Sequence, residues 1–415
     1  MKIICTSDWH LGNLFHGNDR LPEHRHFLSW LLTQISEQQP AALLVAGDVF
    51  DNGNPSAAAQ ALYYQFLVDA HAAAPAMLTV ITGGNHDSAS RLEAPRSILG
   101  SLNIEVRGQV HRTWSDEGWD IDFDDLIIPL DDAAGNQAAI LAMPFLRNDI
   151  LGTSDYSAGI RDFTGRLIAR ARELYPGRKL IMMAHLYASG AEIADSDASE
   201  KIIVGGQEQV AMTGWADYPD YFTCGHIHKR QAIRGPKRAR YTGSVLPMSF
   251  AEKDYKHGVD LVTISNHDIE VSHLDYTPQH RLLVLPDDDT GLTTGKLIKL
   301  IGKELPDRVG KLPDENSIYL ALKVRLDKIK NDDLRQIEEA LATKNAVLCK
   351  IQRISPDLAV STFDGQRTIS SIDDILDRDP LETLAEAFVI RHDAEMSEHQ
   401  ADMLRSIIED IKKNQ

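Results

Sequence analysis

The chain has 415 residues, 43% of them hydrophobic and 25% charged, with a formal net charge of −18. That length and apolar content suit two or three domains with sizeable cores, and no apolar run approaches the roughly 20 residues of a membrane span. The acidity excludes a protein coated in basic surface, and the three widely spaced cysteines, Cys5, Cys224 and Cys349, exclude a disulfide framework and point to a reduced, cytoplasmic chain.

Short apolar runs of the buried-strand kind lie at 2–6, 41–46, 77–82, 180–184 and 221–224. Between the first two, Phe27, Leu28, Leu31, Leu32 and Ile35 repeat at helical spacing, and His24 and His26 read as surface residues of that helix. A second helix follows Pro55, with Ser56 as its N-cap, and carries Leu62, Phe66 and Leu67. Segments 121–129 and 138–144 read as further strands around an acidic turn, and a third helix spans 158–174. This alternation predicts an α/β core.

Residues 275–279 form a candidate linker to a smaller α/β unit. In that unit Ile318, Leu320, Leu322, Val324 and Leu326 alternate with Tyr319, Ala321, Lys323 and Arg325, which predicts a half-buried strand. Helices are expected at 297–305 and 332–342, and a strand at 347–351. Beyond 372 two amphipathic helices are expected, the second behind Ser397. The predicted domains are 1–276, 277–364 and 365–415.

Charge is uneven along the chain. The segment 116–132 holds eight acidic residues and no basic one, whereas 229–240 holds six basic residues and no acidic one. The basic run, which begins with Lys229 and Arg230, is a candidate strip for tracking phosphates, and Arg91 is a second candidate.

Each of the five core runs ends at a residue of metal-ligand type. In open α/β sheets ligands bind outside the carboxyl ends of the strands. Five adjacent ends would bring together Asp8, His10, Asp48, Asn85, His185, His226 and His228. No single spacing among them is specific; the repetition is. Carboxylate, carboxamide and imidazole donors without thiolate favour Mn²⁺, Fe²⁺ or Zn²⁺. Two carboxylates and four histidines exceed the needs of one ion, so two are expected. Asp48 is the candidate bridge, with Asp8, His10 and His228 completing one ion and Asn85, His185 and His226 the other. His86 should point away from Asn85 toward a substrate and act as general acid or transition-state stabiliser, with Asp87 holding its ring.

The motifs Ser-Asp-Trp-His-Leu-Gly (7–12), Ala-Gly-Asp-Val-Phe-Asp (46–51), Gly-Asn-His-Asp-Ser (84–88) and Cys-Gly-His-Ile-His (224–228) resemble those of the calcineurin-like metallophosphoesterases. With Trp9 and Gly-Ser-Val-Leu-Pro-Met-Ser-Phe (243–250), the first 275 residues resemble the nuclease-subunit family of bacterial SbcC–SbcD complexes; the remainder resembles it in layout. The doubled Gly83-Gly84 departs from the pattern and reads as a tight turn. The resemblance implies a four-layer αββα sandwich with a small α/β capping domain and C-terminal helices. It implies Mn²⁺ and hydrolysis of DNA phosphodiesters in repair, recombination and replication, hairpin processing included. The activities implied are an ATP-dependent double-strand exonuclease and a single-strand endonuclease. The implied assembly is a homodimer joined to SbcC-type ATPase subunits in a heterotetramer, in the nucleoid-associated cytoplasm. Leu381, Leu384, Phe388, Leu404, Ile407 and Ile408 would be the stripe that docks on the SbcC coiled-coil base. A metallophosphatase or cyclic-nucleotide phosphodiesterase on the same core is the alternative.

Overall fold

The computed structural model describes residues 1–354, apart from 116–117, 193–208, 266–267, 289 and 326–330. The expected C-terminal helices, with Ser397 and the stripe Leu381, Leu384, Phe388, Leu404, Ile407 and Ile408, lie outside the described residues, as does the whole of 365–415.

Among the described residues, two six-stranded sheets form the body. The first runs Ile269–Tyr276, His257–Ile264, Lys2–Thr6, Ala42–Ala46, Leu78–Thr82, Ile104–Arg107, and its last four strands are parallel. The second runs Gln231–Ala232, Ala239–Tyr241, Tyr221–Gly225, Lys179–His185, Gln137–Ala142, Ile127–Asp131, with the four from Ala239–Tyr241 to Gln137–Ala142 parallel.

Three layers of core account for the apolar runs. Ile3, Cys5, Leu44 and Val80 of the first sheet meet Ile140, Ile181, Met183 and Tyr221 of the second. Alternate residues of the first sheet, Ile4, Leu43 and Val45, face helices Leu21–Gln38 and Ala57–Ala73. The far side of the second sheet is covered by Phe163, Leu167 and Ile168 of helix Tyr156–Leu174. Strands buried on both faces read as continuous apolar runs, and the resulting order is helix, sheet, sheet, helix. The Ser56 hydroxyl caps its helix by accepting from Ala59 N at 3.1 Å.

Two expectations are corrected. His24 is fully buried, and burial first of all holds its imidazole down to a pKa of about 3; His26 alone is on the surface. The strand expected at 121–129 begins only at Ile127, because Asp125 is drawn to Arg96 and Arg107 and turns the chain first. Among the described residues of the acidic segment, Asp120 pairs with Arg166 and Asp124 with Arg170.

The smaller sheet, Leu282–Leu285, Ile318–Arg325 and Ala346–Ile354, packs on helices Thr294–Glu304 and Asn331–Leu341. Its central strand is buried on both faces rather than half-buried. Tyr319 stacks on Phe15 at 5.4 Å and on His280 at 4.2 Å, which covers the side that the polar alternation suggested was wet.

Candidate metal centre

The parallel strands of both sheets deliver their carboxyl ends to one edge, and the predicted ligand residues follow immediately. Asp8 comes two residues after Lys2–Thr6, Asp48 two after Ala42–Ala46, Asn85 three after Leu78–Thr82. His185 closes its own strand and His226 follows Tyr221–Gly225. Asp8, His10 and His228 bring one donor atom each within 4.8 Å of one another; so do Asp8, Asp48 and His185, and so do His10, Asp48 and His86.

Asp48 sits between the two groups. Its Oδ2 is 3.2 Å from His185 Nε2 and 3.7 Å from His10 Nε2, while its Oδ1 accepts from His86 N at 2.9 Å. Asn85 Oδ1 lies 3.0 Å from His185 Nε2 and 2.9 Å from His226 Nδ1. Asp8 Oδ2 accepts from Ser7 Oγ at 2.5 Å, and its Oδ1 from His226 N at 2.9 Å.

Backbone conformation explains how these side chains leave the sheet edge. Asp8, His10, Asp48 and His226 all have left-handed φ, at 52°, 46°, 49° and 97°. An L-residue there carries roughly 1–2 kcal/mol of strain, and such outliers concentrate where function demands them. Glycines provide the room. A Cβ on Gly47 would fall 2.3 Å from His185 Nδ1, one on Gly84 2.1 Å from Asp48 Oδ1, and one on Gly225 2.1 Å from Ala46 O. Gly83 likewise lies against the Gly108 backbone, its hypothetical Cβ 2.8 Å from Gly108 O. The Gly83-Gly84 pair at this strand-to-loop turn therefore serves close approach.

The electrostatics suit cations. Among the described residues, the ion-pair partners of Asp8 and Asp48 are histidines, with no lysine or arginine. Burial above all keeps His10 and His226 neutral, the latter near a pKa of about 3. His185 goes the other way: burial lowers it, but Asp48 and Asp8 overcome that and raise it to about 9. Both ring nitrogens of His10 are buried without a hydrogen-bond partner among the described residues, a state that costs free energy unless the one lone pair of the neutral ring and its one N–H each find a partner. His185 Nδ1 donates to Ala46 O at 3.0 Å, which turns Nε2 inward. Imidazoles, two of them aimed by an outer partner, together with two buried carboxylates and an amide oxygen, fit divalent ions.

One functional residue has no sequence signal. Glu252, fully buried in a short turn, accepts from His228 Nδ1 at 3.1 Å and from Met248 N at 2.9 Å. Its carboxylate fixes the orientation of the His228 ring.

His86 is exposed at the rim, edge-on to His10 with ring centroids 4.9 Å apart. Its Nδ1 donates to Asp51 O at 2.8 Å. Asp87 does not hold that ring, which corrects its expected catalytic role. Its carboxylate accepts from Val49 N, Phe50 N and Gly84 N at 3.1, 2.9 and 2.9 Å, because residues adjacent in an extended turn face opposite ways.

The expected phosphate contacts separate. Arg91 is exposed beside the His86 turn and bonds Asn54 Oδ1 at 2.5 Å. Lys229 pairs with exposed Glu192 at 2.6 Å. Arg230 is withdrawn from the strip, its Nε 2.7 Å from the fully buried Asp260.

Residues 1–230 match the family described as calcineurin-like phosphoesterase. The SbcD component of the SbcCD nuclease of Rhodobacter capsulatus is 34% identical over 370 residues, covering 86% of this chain and 89% of that protein. The SbcD component from Escherichia coli is 30% identical over 404 residues, 94% of this chain and 90% of its own. That of Bacillus subtilis is 31% identical over 272 residues, 63% and 66%.

Proposed function

The chain belongs to the calcineurin-like phosphoesterases and, among them, to the SbcD family of SbcCD nucleases, and from that membership we propose that it cleaves DNA phosphodiesters at a two-ion centre. It does so as an ATP-dependent double-strand exonuclease with an SbcC-type ATPase, and as a single-strand endonuclease. The observation that carries the reading is the buried set around Asp48. There, among the described residues, two carboxylates pair with imidazoles alone and His10 lacks any hydrogen-bond partner.

Asp8, His10 and His228 would hold one ion, Asn85, His185 and His226 the other, and Asp48 both, with Mn²⁺ the proposed metal. When bound, the ions supply Lewis acidity toward the attacking water and the phosphoryl oxygens. The protein's own part is to fix geometry and protons. Glu252 and the Ala46 carbonyl hold the rings of His228 and His185, so that opposite nitrogens face inward. The Asp51 carbonyl accepts the hydrogen bond of His86 Nδ1–H, leaving Nε2 as the nitrogen that, in the imidazolium form, carries the proton for the leaving oxygen.

Arg91 and Lys229 are the proposed phosphate contacts. The Lys229–Glu192 pair is exposed and screened by solvent, so the lysine can turn to a phosphate. With a net charge of −18, affinity for DNA relies on the partner or on a groove between two copies of this chain in a heterotetramer. Within 277–364 the small sheet and its helices form the capping domain of the proposal. Residues 365–415, with Leu381, Leu384, Phe388, Leu404, Ile407 and Ile408, form the segment that docks on the SbcC coiled-coil base.

Two assays test the activity: Mn²⁺-dependent degradation of linear duplex DNA, with and without the ATPase partner, and hydrolysis of a chromogenic phosphomonoester. DNA cleavage that depends on Mn²⁺ is expected. Monoester hydrolysis without DNA cleavage would replace this reading with that of a metallophosphatase.

A further inference from the structure

Arg20 is fully buried, yet none of its hydrogen bonds goes to a ligand of the metal centre. Its Nε and Nη2 donate to Glu23 at 2.7 and 3.1 Å, and Nη1 donates to Pro247 O at 2.5 Å. A buried ion pair is weak evidence for stability, since its desolvation offsets its attraction. The third bond is what distinguishes this one.

Pro247 lies in the middle of a loop that grips His228 at both ends. Ser244 N donates to the His228 carbonyl at 3.0 Å. At the other end Glu252 accepts from the His228 ring and from Met248 N. Phe250, in the same loop, packs 5.2 Å from Phe15, and the Arg20 guanidinium lies 5.1 Å over that same Phe15 ring. Phe15 in turn stacks on Tyr319 of the small sheet, at an interplanar angle of 9°.

We propose that Arg20 is a positioning residue for His228. It acts through the Pro247 carbonyl and Glu252, and the small sheet fixes it in place through Tyr319 and Phe15. The proposal rests on reading Asp8, His10 and His228 as the ligands of one ion. It adds that the grip on that ion is set from outside the nuclease core.

The test is calorimetric titration of the full chain with Mn²⁺, with thermal unfolding followed in parallel. Arg20→Met should weaken one of the two ion sites by at least about tenfold, the lower end of what losing an outer-sphere partner costs, and leave the other unchanged. Arg20→Lys keeps a donor for Pro247 O and should recover part of the loss. Phe15→Leu should weaken the same site by a smaller factor. Phe163→Ala, on helix Tyr156–Leu174 in the core on the far side of the second sheet and touching none of the Arg20, Pro247 and Phe15 contacts, should lower the unfolding temperature without changing either affinity.

A folded Arg20→Met chain that binds Mn²⁺ as the wild type does would overturn the proposal, and so would a Phe163→Ala chain that loses as much affinity. Should Arg20→Met fail to fold, Phe15→Leu decides: unchanged affinity overturns the proposal and weakened affinity at one site supports it. A wild-type chain that binds no Mn²⁺ instead removes the metal-centre reading, and the proposal with it.

Discussion

Asp87→Ala separates two roles that the neighbouring positions of His86 and Asp87 confuse. In the structure the Asp87 carboxylate accepts three backbone N–H groups, from Val49, Phe50 and Gly84. Alanine leaves all three donors buried, at about 1–3 kcal/mol each, a gross loss of about 3–9 kcal/mol. The substitution also relieves a strain. Burial first, then the nearby Asp48 charge, push the Asp87 carboxyl up to about 6 against those three bonds. The roughly 2-unit rise corresponds to about 3 kcal/mol of disfavoured charge at neutral pH. Set against the gross loss, that leaves an expected net destabilisation of roughly 0–6 kcal/mol, so hydrogen bonding wins over most of the range. Urea unfolding gives the stability; the pH dependence of Mn²⁺-dependent DNA cleavage, measured on the folded fraction, gives the role of His86. The alkaline limb, set by loss of the proton that a general acid must carry, should stay where it is, since Asp51 O and not Asp87 holds the His86 ring. A displaced alkaline limb would refute the reasoning and make Asp87 the partner of His86.

His86→Ala should bind Mn²⁺ normally and lose about 10²–10⁴-fold in cleavage; undiminished turnover would remove His86 from the chemistry. Gly84→Ala drives a methyl group to 2.1 Å from Asp48 Oδ1 and 2.2 Å from Asp48 N. It should destabilise by about 1–3 kcal/mol and weaken both ion sites, whereas Gly100→Ala, whose methyl meets open space, should do neither; calorimetry on both reads the contrast. His24, held neutral by burial down to about 3, binds its proton in the unfolded chain from an ordinary value near 6.5. The unfolded state thus holds more protons between pH 6.5 and about 3, and stability falls with acidification by about 1.4 kcal/mol per pH unit across that window. His24→Gln should flatten the acid slope of unfolding free energy by one proton, and an unchanged slope would show that His24 is not buried neutral. Truncation after Asp364 should leave Mn²⁺-dependent nuclease activity and abolish binding to the ATPase partner; co-purification of the truncated chain with that partner would sink the docking role of 365–415.

What can be read from the sequence follows from sheet geometry. Strands such as Ala42–Ala46 and Leu78–Thr82 are covered on both faces, so each is a pure apolar run with a sharp end. Because the runs are parallel, their ends share an edge, and the pattern of runs alone places residues far apart in the chain together. The misreadings have physical causes. Tyr319 alternates like a wet position, but a tyrosine ring carries enough apolar surface to seal a second face. Adjacency in the chain suggests that Asp87 pairs with His86, while successive side chains in extended backbone diverge. Glu252 and Arg20 carry no periodicity or spacing at all; a lone glutamate or arginine reads as surface unless its partners are known, and theirs lie 24 and 227 residues away.

The glycines and the strained ligands are two halves of one device. A chain leaving a strand must reverse at once if its first polar side chain is to reach over the sheet edge, and that reversal is what left-handed φ at Asp8, His10 and Asp48 accomplishes. The reversal also packs backbone against a proposed ligand carried by another strand. That is why Gly47 lies under the His185 ring, which belongs to the second sheet, and Gly84 under Asp48 of the adjacent strand, each tolerating no Cβ. The Gly-Asp and Gly-Asn pairs at the strand ends therefore state a spatial requirement: the glycine serves a side chain of another strand, not its own. It follows that each glycine substitution should damage a ligand distant in sequence, Gly47 through His185 and Gly84 through Asp48, and that the strain at the ligands persists because the adjoining strands leave no other conformation open.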